Sequence, residues 1–151
     1  MNKIISVISD THNFLYDKLE EALKGSDLII HAGDIGSPDI IERLEKIAKV
    51  VAVRGNTDYE AWAEKYNKYE TINIFGKTIY LLHSLAEINI DPKEESIDMV
   101  IYGHTHRPEI KTVEGVIYLN PGTALMVGGP TFARAEITEN NIECKIIKLN
   151  R

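Results

Sequence analysis

Residues 3–12 read KIISVISDTH, an apolar, β-branched run that ends abruptly in Asp-Thr-His. The run is too short for a core helix and predicts a strand over residues 3–9. The pattern continues along the chain with a helix at 14–24, a strand (LIIH) at 28–31, a helix at 38–47 and a strand (VVAV) at 50–53. Strands that alternate with helices in this way imply right-handed crossovers and a parallel sheet.

Residues that favour helix termini flank both predicted helices. Asn13 is placed to cap the first helix and Gly25 to stop it. The apolar face of that helix consists of Phe14, Leu15, Leu19, Ala22 and Leu23. Ser37 and Pro38 supply a cap and a first-turn proline for the second helix. The inward face of the second helix consists of Ile40, Ile41, Leu44 and Ile47.

The rest of the chain favours antiparallel pairing. Three hairpins are predicted around Gly76, residues 114–115 and residues 139–141, and a further buried strand lies at 98–102. Residues 85–97 form a short polar connection in which we expect one helix beginning near Asp91-Pro92. We therefore predict an α/β fold in a single domain spanning residues 1–151. Its parallel half and its antiparallel half would form two packed sheets with helices outside.

Composition narrows the class of protein. The chain has 151 residues with 23 acidic and 17 basic side chains, a net charge of −6 that argues against an extended nucleic-acid-binding surface. No apolar run is long enough for a membrane span, and the N-terminus lacks the features of a signal peptide. The single cysteine, Cys144, is expected to be a small packed side chain on a strand and fits a reducing compartment. We expect a cytoplasmic protein.

Polar residues follow five of the predicted strands at the point where each strand ends. They are Asp10, His12, Asp34, Asn56, His83, His104 and His106. The carboxyl ends of parallel strands line one crevice, where ligands bind in open α/β sheets. Glycines precede three of these residues and permit a sharp turn and a close backbone approach. We expect the seven side chains to meet at that edge.

Carboxylate, amide and imidazole groups are ligands for borderline or hard divalent cations. In Asp-Thr-His and His-Thr-His the paired residues stand two apart, so an extended chain would project both to one side. Seven donors exceed what one ion with an open position needs and suit two ions that share a carboxylate. Two such ions with Asp10, Asp34 and a bridging hydroxide would carry about +1 and attract an anionic substrate. His31 is expected to pack or to buttress the site.

Taken together, the motifs Asp10-x-His12, Gly33-Asp34, Gly55-Asn56, His83 and Gly103-His104-x-His106 resemble those of the calcineurin-like metallophosphoesterase superfamily. The compact size, GHTHRP and the NPGT at 120–123 resemble its small prokaryotic phosphodiesterase branch, which includes the retromer scaffold subunit. The resemblance implies a four-layer α/β/β/α fold with a dinuclear site. It implies that one ion is held by Asp10, His12, Asp34 and His106, and the other by Asp34, Asn56, His83 and His104. Manganese is the ion that it favours, with nickel, magnesium or iron as alternatives.

Two departures from the family pattern limit the transfer of chemistry. Thr57 stands where many relatives carry a histidine proton donor, and Ser84 stands where a glycine is more common. Arg54 is expected to be a plain strand-end charge.

The resulting hypothesis is a phosphodiesterase in which a metal-bridged hydroxide attacks a small diester. Its predicted catalytic residues are Asp34, Asn56 and His104. A non-catalytic protein-binding scaffold and a purely structural metal site are the alternatives, and the C-terminal edge strands offer a route to a homodimer.

Overall fold

The computed structural model describes residues 1–127 and 129–150. Its helices and strands are, in order, β1 (Asn2–Ile8), α1 (Asp17–Ala22), β2 (Leu28–His31), α2 (Pro38–Glu45), β3 (Lys49–Ala52), β4 (Tyr69–Ile74), β5 (Lys77–Leu82), β6 (Met99–Ile101), β7 (Glu109–Val113), β8 (Val116–Asn120), β9 (Thr131–Thr138) and β10 (Ile142–Lys148). Short 3₁₀ helices add Ala61–Lys65 and Leu85–Glu87. Every predicted strand is therefore present, with ends within one or two residues for most.

The first sheet has the strand order β10-β9-β1-β2-β3. Strands β1, β2 and β3 run parallel, with Ile5 opposite Leu28 and Leu28 opposite Lys49, so the predicted parallel unit is confirmed. The last hairpin pairs antiparallel with the other side of β1. The two ends of the chain therefore lie side by side in one sheet.

The second sheet has the order β4-β5-β6-β8-β7 and is mixed. The hairpins β4-β5 and β7-β8 are antiparallel as predicted, but β6 pairs parallel with both β5 and β8. The prediction of an antiparallel half was wrong. The hairpin signals lie within short stretches of sequence, whereas the parallel neighbours of β6 are set by long connections that leave no local turn signature.

The two sheets pack face to face around a core of aliphatic side chains, which confirms the predicted two-sheet α/β sandwich. That core includes Val7, Ile30, Leu81, Ile101 and Leu119. Helices α1 and α2 cover the outer face of the first sheet through buried residues such as Leu19 and Leu44. Cys144 is half-buried against the core between the sheets, and burial raises the pKa of its thiol to about 11.

The outer face of the second sheet is covered by the connection 85–97 rather than by an α-helix. Leu85, Ile88 and Ile90 pack there against Tyr80 and its neighbours. The predicted helix near Asp91 is absent from this described segment. The Asp91 carboxylate instead accepts the backbone N–H of Lys93 at 3.1 Å and closes a turn. Local side-chain bonding of this kind competes with helix formation.

The first helix is shorter than predicted. It begins at Asp17 rather than at residue 14, and Phe14 is exposed instead of facing the core. Asn13 does not cap it, because its backbone has a φ of +68° and its N–H donates to the Ile35 carbonyl. The second helix begins at Pro38 as predicted but ends at Glu45 rather than at residue 47, and Ser37 at its N-cap position makes no side-chain capping hydrogen bond. No helix in the described ranges has the length and apolar character needed to cross a bilayer.

Candidate metal centre

The loops that follow the strands bring six of the seven predicted ligands into two neighbouring groups. The first group is Asp10, His12 and His106, and the second is Asp34, His83 and His104. Within each group the potential ligand atoms lie within 4.8 Å of one another. Asn56 is exposed and lines a cavity together with His83. The side chains of His104 and His106, two positions apart in sequence, therefore belong to different groups.

The two carboxylates lie between these groups. Asp10 Oδ1 is 3.4 Å from His106 Nε2 and 3.8 Å from His83 Nε2. Asp34 Oδ2 is 3.3 Å from His83 Nε2 and 3.7 Å from His12 Nε2. Each carboxylate thus approaches a histidine of both groups, so the six side chains form one continuous cluster.

The protein holds one oxygen of each carboxylate and leaves the other oxygen to the cluster. Asp10 Oδ2 accepts hydrogen bonds from the Ser9 hydroxyl (2.7 Å) and the His104 backbone N–H (3.1 Å). Asp34 Oδ1 accepts the backbone N–H of Thr57 at 3.0 Å. The remaining oxygens, Asp10 Oδ1 and Asp34 Oδ2, are those that face the histidines. Both carboxylates are consequently fixed in the orientation that a ligand requires.

His83 is oriented in the same way. Its Nδ1 lies 2.7 Å from the Ala32 carbonyl, which can only accept, so Nδ1 carries the proton. In the neutral ring, Nε2 then presents its lone pair to the cluster. Both His83 Nε2 and Asp10 Oδ1 are buried without a hydrogen-bond partner within residues 1–127 and 129–150. Buried polar atoms normally have a partner, and a cation between them would supply one, so these residues fit a divalent metal.

Charge and burial act together on the pKa values of the cluster. Burial alone would raise the pKa of Asp34, but hydrogen bonding and the positive charge of His83, aided by the Thr57 N–H, hold it below its ordinary value. For His83, burial lowers the pKa, while the Asp34 carboxylate more than offsets this and raises it. In the absence of a cation, the two side chains therefore favour an ion pair.

The backbone at the cluster differs from the extended chain that we expected. Five of the ligands adopt the left-handed conformation, with φ of +58° at Asp10, +44° at His12, +57° at Asp34, +73° at His104 and +64° at His106. Both side chains of each pair reach the cluster through these turns and not through strand alternation. Such conformations cost energy for non-glycine residues and persist only where neighbours enforce them.

Asp58 is one such neighbour, and the sequence analysis did not identify it. Its buried carboxylate accepts three backbone N–H groups, from Ile35 (3.0 Å), Gly36 (3.1 Å) and Gly55 (2.9 Å). It therefore ties the loop that bears Asp34 to the loop that bears Asn56. A Cβ at Gly55 would overlap the Asp34 carboxylate, which explains the glycine at this position. The only signal was an aspartate two residues after the Gly-Asn pair.

The NPGT stretch at 120–123 fixes the backbone of two loops that carry candidate ligands. Asn120 Nδ2 donates to the Gly103 carbonyl (3.1 Å) and to Thr105 Oγ1 (3.0 Å), so it fixes the turn that carries His104 and His106. The Thr123 hydroxyl donates to the Asp10 carbonyl at 3.1 Å. Both residues lie in the NPGT motif at 120–123, which indicated the family branch but no role for either residue at the site.

His31 is a buried buttress. Its Nδ1 accepts the Gly33 N–H at 3.0 Å, and its Nε2 lies 2.9 Å from Thr11 Oγ1, whose own proton goes to the Ile35 carbonyl. The hydrogen bonds are all satisfied only if His31 is neutral with its proton on Nε2. Burial, which disfavours the charged imidazolium, is the largest cause that lowers the pKa of His31 to about 3. The side chain thus joins the first two ligand loops without entering either ligand group.

The chain belongs to the calcineurin-like phosphoesterase superfamily, whose domain pattern matches residues 4–140. A probable metallophosphoesterase of Methanocaldococcus jannaschii is 35% identical over 97% of this chain and 81% of its own length. A phosphodiesterase of the same organism is 30% identical over 84% of this chain and 89% of its own length. Family membership supports a hydrolase that acts on phosphoester bonds and uses divalent metal ions.

The solved structures include a second kind of relative. Vps29 of Entamoeba histolytica, solved in complex with Zn²⁺, superposes with a TM-score of 0.77 at 22% identity, over 97% of this chain and 99% of the other. At that identity the match supports the fold alone. It agrees with the two mixed five-stranded sheets described above.

Proposed function

We propose that the protein is a metal-dependent phosphodiesterase with a dinuclear centre. The observation that carries the proposal is the pair of adjoining ligand groups, with Asp10 Oδ1 and His83 Nε2 buried and unpartnered between them in the described chain. The phosphodiesterase name of one relative supports the same reaction class. A small diester substrate, with no extended nucleic-acid partner, agrees with the net charge of −6.

The proposed ligands follow the family pattern. Asp10, His12 and His106 would hold one cation, and Asn56, His83 and His104 the other. Asp34 would contribute to both, because its single free oxygen approaches His12 of the first group and His83 of the second. We propose Mn²⁺ as the active ion, with Ni²⁺, Mg²⁺ or iron as alternatives.

When bound, the two cations would supply an activated water as nucleophile and offset the negative charge that develops on the phosphoryl group. The chain's own groups orient the substrate. The Asn56 amide is exposed at the cavity and can donate to a phosphoryl oxygen. Thr57 offers no proton to a departing group at neutral pH, and its backbone N–H is engaged by Asp34. We therefore expect fast hydrolysis of diesters with good leaving groups and slow hydrolysis of alkyl monoesters.

The test compares three preparations of the protein. Metal is removed by dialysis against a chelator, Mn²⁺ is returned to one portion, and hydrolysis of bis(p-nitrophenyl) phosphate is followed by absorbance. We expect activity in the untreated and reconstituted portions and its loss in the chelated one. Turnover of an alkyl monoester at a comparable rate, or no turnover with any of the four metals, would contradict the proposal.

A non-catalytic scaffold is the second candidate, which the fold match to Vps29 leaves open. It predicts metal uptake without hydrolysis in the same three preparations. A purely structural metal would also give no hydrolysis, but chelation would lower the melting temperature substantially. We further propose a cytoplasmic location. Self-association through β7, a fully exposed edge strand, stays a prediction that light scattering can check.

A further inference from the structure

A cavity of about 120 Å³ opens beside the second ligand group. Its lining includes Asn56 and His83 of the ligand cluster together with the side chains Arg54, Lys68, Tyr69, Ser84 and Glu87. The cavity therefore has room for a short substituent next to a phosphoryl group.

Arg54 gives this cavity an uncompensated positive charge. Its Nη1 donates to the Tyr66 carbonyl at 2.9 Å, which fixes the guanidinium. Its other N–H groups have no acceptor within the described residues, and no carboxylate of that part of the chain lies within the 4.0 Å of an ion pair. Lys68, by contrast, is neutralised by Glu87 at 2.5 Å. Arg54 is half-buried, so an anion beside it is weakly screened.

Ser84 adds a free hydroxyl. Its side chain lines the cavity, and within the described chain it makes no side-chain hydrogen bond, because only its backbone carbonyl is used, by Glu87. A glycine at this position, as in the family pattern, would lack that donor. The fixed guanidinium and the hydroxyl together offer donors suited to a small anion.

We propose that this cavity binds the second ester substituent of the substrate and selects a short substituent that ends in an anionic group, such as a carboxylate or a phosphate. The inference deepens the proposed function and rests on it for the position of the phosphoryl group. A neutral substituent would desolvate Arg54 without giving it a partner, which costs binding free energy. On its other side Arg54 borders a cavity with Glu60 and Glu64.

The test measures binding and does not depend on turnover. Calorimetric titrations of the Mn²⁺-loaded protein, at constant free Mn²⁺, compare propylphosphonate with 3-phosphonopropionate and with ethane-1,2-bisphosphonate. The shared phosphonate stands in for the phosphoryl group, and the tails are neutral, carboxylate and phosphonate respectively. We expect one or both anionic tails to bind about tenfold more tightly than the neutral tail, and the stronger of the two identifies the anion.

Variants assign the preference to the cavity. In Arg54→Gln, the ratio between the affinities for the anionic and neutral tails should fall close to one. Arg54→Lys keeps the charge but not the paired N–H donors of the guanidinium, so it should retain part of the preference. Lys145→Gln makes a matched charge change at an exposed position of strand β10 and should keep the wild-type ratio. An equal affinity for all three probes, or a preference that survives Arg54→Gln, would overturn the inference.

Failure of the proposed function gives a different result. A tail preference that depends on Arg54 but comes with no diester hydrolysis leaves the binding inference standing and removes the phosphodiesterase assignment. Diester hydrolysis without a tail preference supports the phosphodiesterase assignment and contradicts the binding inference. If none of the three phosphonates binds the Mn²⁺-loaded protein, the binding inference is contradicted, and the hydrolysis assay alone decides the phosphodiesterase assignment.

Discussion

The candidate metal centre has a floor and a rim that are built differently. The floor consists of Asp10, Asp34 and His83, all buried and each oriented by a hydrogen bond to the protein. The rim consists of His12, Asn56, His104 and His106. The His12 and His106 side chains are 31% and 39% exposed, against 3% for His83. Within the described residues no rim side chain makes a hydrogen bond to the protein.

This difference separates two ways of making a metal site. The floor is preorganised, so its ligand atoms are in place before a cation arrives and little side-chain entropy remains to be lost. The rim gains its order from the cation itself and loses rotamer freedom on binding. We expect the floor to determine whether metal binds at all and the rim to adjust the affinity of one ion at a time.

The largest effect should follow a change in the floor. Asp34→Asn removes the negative charge from the carboxylate that we propose to be shared by both ions, so we expect diester hydrolysis to fall by about 10³-fold or more. Mn²⁺ content, measured by elemental analysis after gel filtration, should fall from two ions towards none. Asp39→Asn, a matched change at an exposed position of α2, should behave like wild type. Two bound ions in Asp34→Asn would disprove the shared role.

A smaller effect should separate floor from rim directly. His106→Gln alters one exposed rim ligand, so we expect a loss of roughly 10–100-fold in activity at limiting Mn²⁺ that excess Mn²⁺ largely restores. His83→Gln should not be restored, because the gap is buried and the Ala32 carbonyl loses its donor. Activity measured across a Mn²⁺ titration distinguishes these outcomes. Equal rescue of both variants would remove the distinction between floor and rim.

The smallest effect should come from the buttress beneath the floor. Because folded His31 has a pKa of about 3 and the unfolded side chain titrates near 6.5, the unfolded chain takes up an extra proton between these values. The stability that neutral His31 contributes is therefore complete above about pH 6.5 and is lost as the pH falls towards 3.

His31→Gln cannot titrate, so its deficit of about 1–3 kcal/mol at pH 7 should shrink as the pH is lowered. Urea unfolding at pH 7 and pH 4.5, with chelator present, measures the difference between wild type and variant. A deficit that is the same at both pH values would show that the neutral imidazole is not what stabilises the loops.

Much of this molecule could be predicted from the sequence because its signals are local. Alternating or continuous apolar runs marked the strands, and turn residues such as Gly76 marked the hairpins. The ligands stood out because each follows a strand directly. The meeting of the ends of β1, β2 and β3 followed from their parallel order. His83, His104 and His106, by contrast, follow strands β5 and β6 of the second sheet and reach the cluster through the packing of the two sheets.

The parts that were missed depend on partners distant in sequence. Asp58 received no role from the sequence, because its partners lie up to 23 residues away, and the Thr123 hydroxyl meets Asp10 across 113 residues. No periodicity encodes such bonds. The helix predicted from residue 14 failed for a similar reason, because Asn13 is used to bond the Ile35 loop. Asn13, a residue type that often caps helices, instead links two loops of the site in this chain.

The return of β9 to the side of β1 has a consequence for synthesis of the protein on the ribosome. Until residues 131–138 have emerged, β1 has a neighbour only at β2 and exposes an unpaired edge. Such an edge invites association with other nascent chains. Strand β1, which directly precedes the proposed ligand Asp10, thus gains its second neighbour only from the final hairpin, so we expect cation capture to come after translation of that hairpin.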